Sequence, residues 1–225
     1  MSTGNDPRDE AIRRVLSPAR LSTYEGPFEG WVDQPVAAAL KLYTWNTKVS
    51  GAFLAPLHIC EVAVRNAVSD ALEAIYGPSW PWSQGFQRSL KRYSCKEVVK
   101  KCGKAESTGK LIPELNFGFW KSMFTSRYED RIWATFLHTI FPGLPGDTPL
   151  GDLRESVFQD LERVNGLRNR IAHHEPIFRR NLRKDLRIIN RLVSYRCEHT
   201  AEWIRGQQET ELITLLEAPP FPPRG

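Results

Sequence analysis

The chain has 225 residues, 41% of them apolar and 25% charged, and carries a formal net charge of +5. That length and apolar content suffice for one sizeable packed domain, which excludes a chain that is disordered as a whole. No apolar run is long enough to span a bilayer, and MSTGNDPRDEAIRRVL lacks the apolar core of a signal peptide, so a soluble cytoplasmic protein with no membrane partner is expected.

Residues 1–20 are polar and charged, with Pro7 and Pro18, and are expected to be flexible or loosely attached. A first helix is predicted near Pro35–Ser50, where Pro35 suits the first turn and Val36, Leu40, Tyr43 and Thr47 recur at helical spacing. A second is predicted over Ala52–Tyr76, with Leu57, Val64, Val68, Leu72 and Ile75 on one face, Pro56 as an early kink and Gly77-Pro78 as its stop. Helical pieces follow at 86–101. The aromatic stretch GKLIPELNFGFWKSMF reads as loop or short helices packed on the core. Residues 127–140 read as helix, and FPGLPGDTP as a break.

The next helix begins with Thr148 as N-cap and Pro149 in the first turn. Its apolar stripe is Leu150, Leu153, Val157, Leu161, Val164, Leu167 and Ile171. Pro176 disfavours helix at Glu175, so the end falls near His174. A long basic helix is predicted from about Pro176 to Arg205, then the Pro-rich tail EAPPFPPRG with nothing evident to pack. No alternating strand pattern and no repeat is present. The expected architecture is all-α, with up-and-down helices forming one domain over residues 21–216 and a tail over 217–225.

The four cysteines, Cys60, Cys95, Cys102 and Cys197, form no C-x-x-C pair and read as reduced, mostly buried thiols. Arginines crowd the chain from Arg154 onward, which makes the C-terminal half the side expected to face a polyanion such as RNA.

One stretch concentrates reactive side chains: NGLRNRIAHHEPIF, residues 165–178. It admits three meanings: a catalytic cluster, a metal site, or the polar end of a helix where cations favour the macrodipole. The metal reading is weak, because adjacent His173, His174 and Glu175 point in different directions on a helix and no His-x3-His pair is present. No metal or cofactor is expected. Asn169 and His173 are four apart and share a helix face. Arg168 and His173 are five apart, about 140° round the axis, and converge only where the chain leaves the helix before Pro176. Imidazole can take a proton from an RNA 2′-hydroxyl or give one to the 5′-oxygen leaving group. Guanidinium fits a phosphate and stabilises charge growing on its oxygens. The internal 2′-hydroxyl nucleophile makes a metal unnecessary.

These residues resemble a known family. RNRIAH matches the R-x4-H signature of HEPN-domain ribonucleases, and the longer string LRNRIAHHEPIF resembles Abi-like (abortive infection) bacterial proteins of that superfamily. LSTYE at 21–25, EVAVRNAVSDAL at 61–72, YGPSWPW at 76–82 and LNFGFWKSMF at 115–124 fit the same resemblance. The resemblance implies an α-helical bundle that dimerises, bringing two motifs to a shared cleft. It also implies metal-independent RNA cleavage, as an anti-phage effector or the toxin of a toxin–antitoxin pair, with an antitoxin or a phage-derived trigger as further partner. The motif transfers onto Arg168, Asn169 and His173 as catalytic residues.

Supporting candidates are His174, Glu61, Arg65 and Asn66. Glu61 and Arg65 have i, i+4 order for an intrahelical ion pair. Arg65 or Asn66 facing the cleft, to support the phosphate or His173, is the alternative. Arg170, Arg179, Arg183 and Arg187 are candidate RNA contacts; the last three, with Arg191, recur every four residues and read either as a solvated face or as phosphate ligands. Phe117, Phe119 and Trp120 read as core or dimer contact ahead of base stacking. The competing function is a non-catalytic RNA-binding or protein-interaction module with an idle motif.

Overall fold

A computed structural model describes residues 6–208 and 210–221. Among these the chain is helical and contains no strand, as the patterning predicts. Residues 1–5 of the expected flexible segment and 222–225 of the Pro-rich tail lie outside the described residues. The rest of the N-terminal segment is not loose coil. Helices α1 (Pro7–Leu16) and α2 (Pro18–Glu25) follow each other, each with a proline in its first turn. α1 buries no residue, whereas α2 buries Leu21 and Tyr24. Arg13 Nε donates to Glu25 across the pair at 2.7 Å.

The scaffold is α3 (Pro35–Tyr76), 42 residues long and so about 63 Å from end to end at 1.5 Å per residue. The two helices expected here are one. Gly51 and Pro56 both lie inside it. Proline removes a backbone donor and costs about 3 kcal/mol in a helix interior. Val49, Phe53, Leu57 and Cys60 carry a buried stripe across that point, and fully burying each large side chain contributes about 1.5–3 kcal/mol. Burial outweighs the local penalty. The buried face of the first half is Val36, Ala39, Leu42, Trp45, Asn46 and Val49, with Thr47 exposed.

Short helices wrap the far half of α3: α4 (Gln84–Ser89), α5 (Arg92–Cys102), α6 (Thr108–Leu111) and α7 (Phe117–Ser122). Phe117, Phe119 and Trp120 are buried and therefore core, not base-stacking platforms. Trp80 sits edge-on to Phe86 and to Trp120. A 3₁₀ turn and a π-turn lead from Ser126 to Trp133, then α8 (Ala134–Ile140). The expected break follows. Gly143 packs so tightly against the chain at 194–195 that an added Cβ would lie 2.7 Å from the Ser194 carbonyl oxygen.

Helix α9 (Leu150–Ala172) presents the predicted stripe, buried from Leu153 to Ile171. Its start is one residue later than expected: Pro149, not Thr148, occupies the cap, and its carbonyl accepts from Asp152 N and Leu153 N. Charge-assisted bonds fix α9 in place. Buried Arg154 donates to Glu129 at 2.7 Å and to the Phe124 carbonyl at 2.6 Å. Asp160 accepts a forked pair from Arg191.

The long basic helix predicted from Pro176 does not form there. Residues 176–181 are an irregular strap between α9 and α10 (Leu182–Arg196), and Cys197 separates α10 from α11 (Glu198–Gln208). Ile177 and Phe178 turn into the core, and both of their N–H groups donate to the Oδ1 of buried Asn46, at 2.8 and 3.2 Å. That bonding draws the segment out of helical register. Asn181 then caps α10, its side chain accepting from Lys184 N. Asp185, 1% exposed, pairs with Arg180 at 2.9 Å and Arg163 at 2.5 Å. Helix α12 (Thr210–Glu217) packs back on α3, and Trp45 Nε1 donates to the Leu215 carbonyl. The tail does pack: Phe221 contacts the Trp45 and Phe178 rings.

Two cysteines, Cys60 and Cys102, are buried; Cys95 is half-buried and Cys197 exposed. Burial pushes the Cys60 thiol up to about 12, whereas hydrogen bonding to Thr200 holds the Cys197 thiol below its ordinary value. No helix among the described residues is long and apolar enough to cross a membrane.

Asn46 carries a stability prediction. Asn46→Ala leaves two buried N–H donors without a partner, each costing about 1–3 kcal/mol, so it should destabilise the protein by about 2–6 kcal/mol in urea unfolding, more than an ordinary helix-surface alanine.

Candidate active site

The C-terminus of α9 closes in a Schellman motif. His173 is the cap residue, with φ −94°. His174 follows in the left-handed region at φ 56°, a position usually given to glycine. Its N–H donates to the Ile171 carbonyl at 3.1 Å, and the Glu175 N–H donates to the Arg170 carbonyl at 2.7 Å. Arg20 of α2 donates to the His174 carbonyl at 2.6 Å. The strap beyond is pinned by Asn46 and by the Arg180–Asp185 pair. The two adjacent histidines thus separate by backbone role: His174 makes the turn, and His173 is left exposed at the helix end.

Arg168 lies on α9 one turn before that end. It lines a cleft of about 460 Å³ between α3 and α9, facing Leu54, His58 and Glu61, with Ile171 and Ala172 beside it. Arg168 Nε stands 3.6 Å from a Glu61 carboxylate oxygen, with 44% of the Arg168 side chain and 25% of the Glu61 side chain exposed. An ion pair that open to water contributes at most about 1 kcal/mol. The guanidinium is oriented by Glu61 but not sequestered by it.

The structure brings Arg168 and Glu61 together and places the other candidates as follows. His173 comes directly after Ala172 of the cleft wall, and its N–H donates to the Asn169 carbonyl at 2.9 Å. Asn169 is exposed. Arg65 does not pair with Glu61, which turns across to α9 instead; its Nε is buried with no hydrogen-bond partner among the described residues. Asn66 does not face this cleft. It lines a separate groove with Asp70, Thr108, Arg196 and Cys197.

The four candidate RNA contacts do not form one stripe. Arg170 is 3.6 Å from Glu175 and donates to the Pro176 carbonyl. Arg179 is off the helix, over the Phe178 ring. Arg183 donates to the Leu216 carbonyl on α12. Arg187 lines a basic groove with Lys184, Arg191 and Arg205, in which Arg191 is neutralised by Asp160 and Arg205 by Glu198. Strap and cap break the regular spacing read from the sequence.

Two residues outside the predicted set shape the site. His58 stands on the cleft wall three residues before Glu61. Asn46 holds the strap. The only sequence signal for either is a polar side chain on a largely apolar helix. Among the described residues, no three His, Cys, Asp or Glu side chains are grouped to hold a metal ion.

No family model matches this chain, and no curated protein or solved structure shows significant similarity to it.

The left-handed backbone at His174 gives a direct test of its role. A non-glycine residue there is disfavoured by roughly 1–2 kcal/mol, so His174→Gly should raise stability by about 1 kcal/mol in thermal or denaturant unfolding, and His174→Val should lower it.

Proposed function

We propose that the chain is a metal-independent endoribonuclease of the HEPN superfamily, Abi-like in kind, acting in the cytoplasm as a defence effector or toxin. The observation that carries this reading is that Arg168 sits on the wall of a cleft one turn before the helix end at which the His173 imidazole is exposed. Among the described residues Arg168 pairs with the partly exposed Glu61 carboxylate alone, a partner that a phosphate can displace or share. His173 is exposed at the fixed helix end immediately beyond the cleft wall. In the proposed mechanism Arg168 binds the scissile phosphate and stabilises its growing charge. His173 serves as the general acid–base group. Asn169 positions His173 or the substrate. The 2′-oxygen attacks phosphorus and the 5′-oxygen leaves, giving a 2′,3′-cyclic phosphate and a 5′-hydroxyl.

A homodimer joining two such sites, and an antitoxin or phage-derived trigger that controls them, complete the proposal. The basic groove at Lys184 and Arg187 is suited to the sugar–phosphate backbone of the same RNA.

A second reading is a non-catalytic RNA-binding or interaction module. The Glu61–Arg168 pair and the absence of a hydrogen-bond partner for the His173 ring among the described residues favour it. The two separate in one experiment. Purified protein is incubated with total RNA in EDTA, beside Arg168→Ala and His173→Ala. Cleavage by the wild type, reduced about 100-fold or more in each variant, is the expected result. Metal-dependent cleavage, or variants as active as the wild type, contradicts the mechanism; RNA binding without cleavage supports the module.

A further inference from the structure

Breaking an RNA phosphodiester through its own 2′-hydroxyl needs two proton transfers. One proton leaves the 2′-oxygen as it attacks, and one reaches the 5′-oxygen as it departs. The R-x4-H motif supplies one imidazole per chain. A second imidazole, His58, lines the cleft that carries Arg168.

His58 lies on α3, exposed, lining the cleft whose opposite wall carries Arg168. It is three residues before Glu61, so its Cβ is about 5–6 Å from that of Glu61 on one helix face. Glu61 in turn lies 3.6 Å from Arg168. A phosphate taken by Arg168 would therefore enter the cleft that His58 also lines. The charged groups lining the cleft are Glu61 from α3 and Arg168 from α9. The ring has no hydrogen-bond or ion-pair partner among the described residues, so nothing else engages its proton. Leu54, 57% exposed on the preceding turn, gives the cleft an apolar edge against which a ribose or base can rest.

We propose that His58 is the general acid of this site, protonating the leaving 5′-oxygen while His173 takes the 2′-hydroxyl proton; the proposal rests on the ribonuclease reading above. The 2′-oxygen–phosphorus bond forms and the phosphorus–5′-oxygen bond breaks. The 2′-hydroxyl proton passes to His173, and the His58 imidazolium gives its proton to the 5′-oxygen. Exchange with water then returns both rings to their starting states. No oxidant, metal or co-reactant enters the balance.

The test uses full-length protein and two matched RNA oligonucleotides, one ordinary and one with sulfur in place of the 5′-bridging oxygen at the cleaved linkage. A thiolate leaves without a proton, so that substrate bypasses a general acid but not a general base. His58→Ala should cleave ordinary RNA about 100-fold more slowly than the wild type and the sulfur-bridged RNA within about tenfold of it. His173→Ala should be slow on both. Because His58 is exposed, an unchanged thermal midpoint for His58→Ala confirms that the loss is chemical. His58→Ala as fast as wild type on ordinary RNA, or equally slow on both substrates, overturns the assignment and leaves the ribonuclease reading standing. A wild type that cleaves neither substrate overturns both.

Discussion

The placement of the site depends on one buried amide. Asn46 sits on the core face of α3 between Trp45 and Val49 and accepts two backbone hydrogen bonds from the strap that follows α9. Those bonds satisfy donors that would otherwise be buried without partners. They also convert a segment with helical composition into an irregular one. With Ile177 and Phe178 turned inward, α9 has to stop. It does so through a Schellman motif whose left-handed residue is His174 and whose cap is His173. The Arg180–Asp185–Arg163 cluster and the Arg20 bond to the His174 carbonyl hold the same turn from two other sides. The proton-transfer role proposed for His173 is consistent with this arrangement, because the backbone position of that residue is settled before any ligand arrives.

The electrostatics of the cleft differ from those of the packed interior. Inside, arginines are committed: Arg154 to Glu129 and the Phe124 carbonyl, and Arg180 to Asp185. Losing either partner there would leave a buried charge, which is strongly destabilising. Arg168 and Glu61 are instead partly open to water and separated by 3.6 Å. Their attraction is weak, which in the proposed function leaves Arg168 open to an incoming phosphate. Of the arginines in the motif string, Arg170 is tied to the strap and only Arg168 faces the cleft.

Much of the helix content could be read directly from the sequence, and each departure has an identifiable physical cause. The α9 stripe from Leu153 to Ile171 and the stop before Pro176 were legible, because periodicity and proline act within a few residues. α3 runs unbroken through Gly51, where the local pattern predicts a division, because the buried Val49–Phe53–Leu57 stripe opposes the breaker signal. The basic helix from Pro176 was wrong because the competing partner, Asn46, is 131 residues away. The motif residues themselves were legible as a string. Their surroundings were not: that Glu61 meets Arg168, that Asn66 faces another groove and that His58 joins the cleft are facts about packing between helices. Spacing along one helix cannot carry them.

The chemistry of the RNA ends is the most direct measure of the central proposal. A defined oligonucleotide is incubated with the protein in chelator, and the products are weighed by mass spectrometry. Attack by the internal 2′-hydroxyl leaves a 2′,3′-cyclic phosphate on one fragment and a 5′-hydroxyl on the other, and both should disappear with His173→Ala. A 5′-phosphate paired with a free 3′-hydroxyl would require water as the nucleophile and would contradict the assignment of Arg168 and His173.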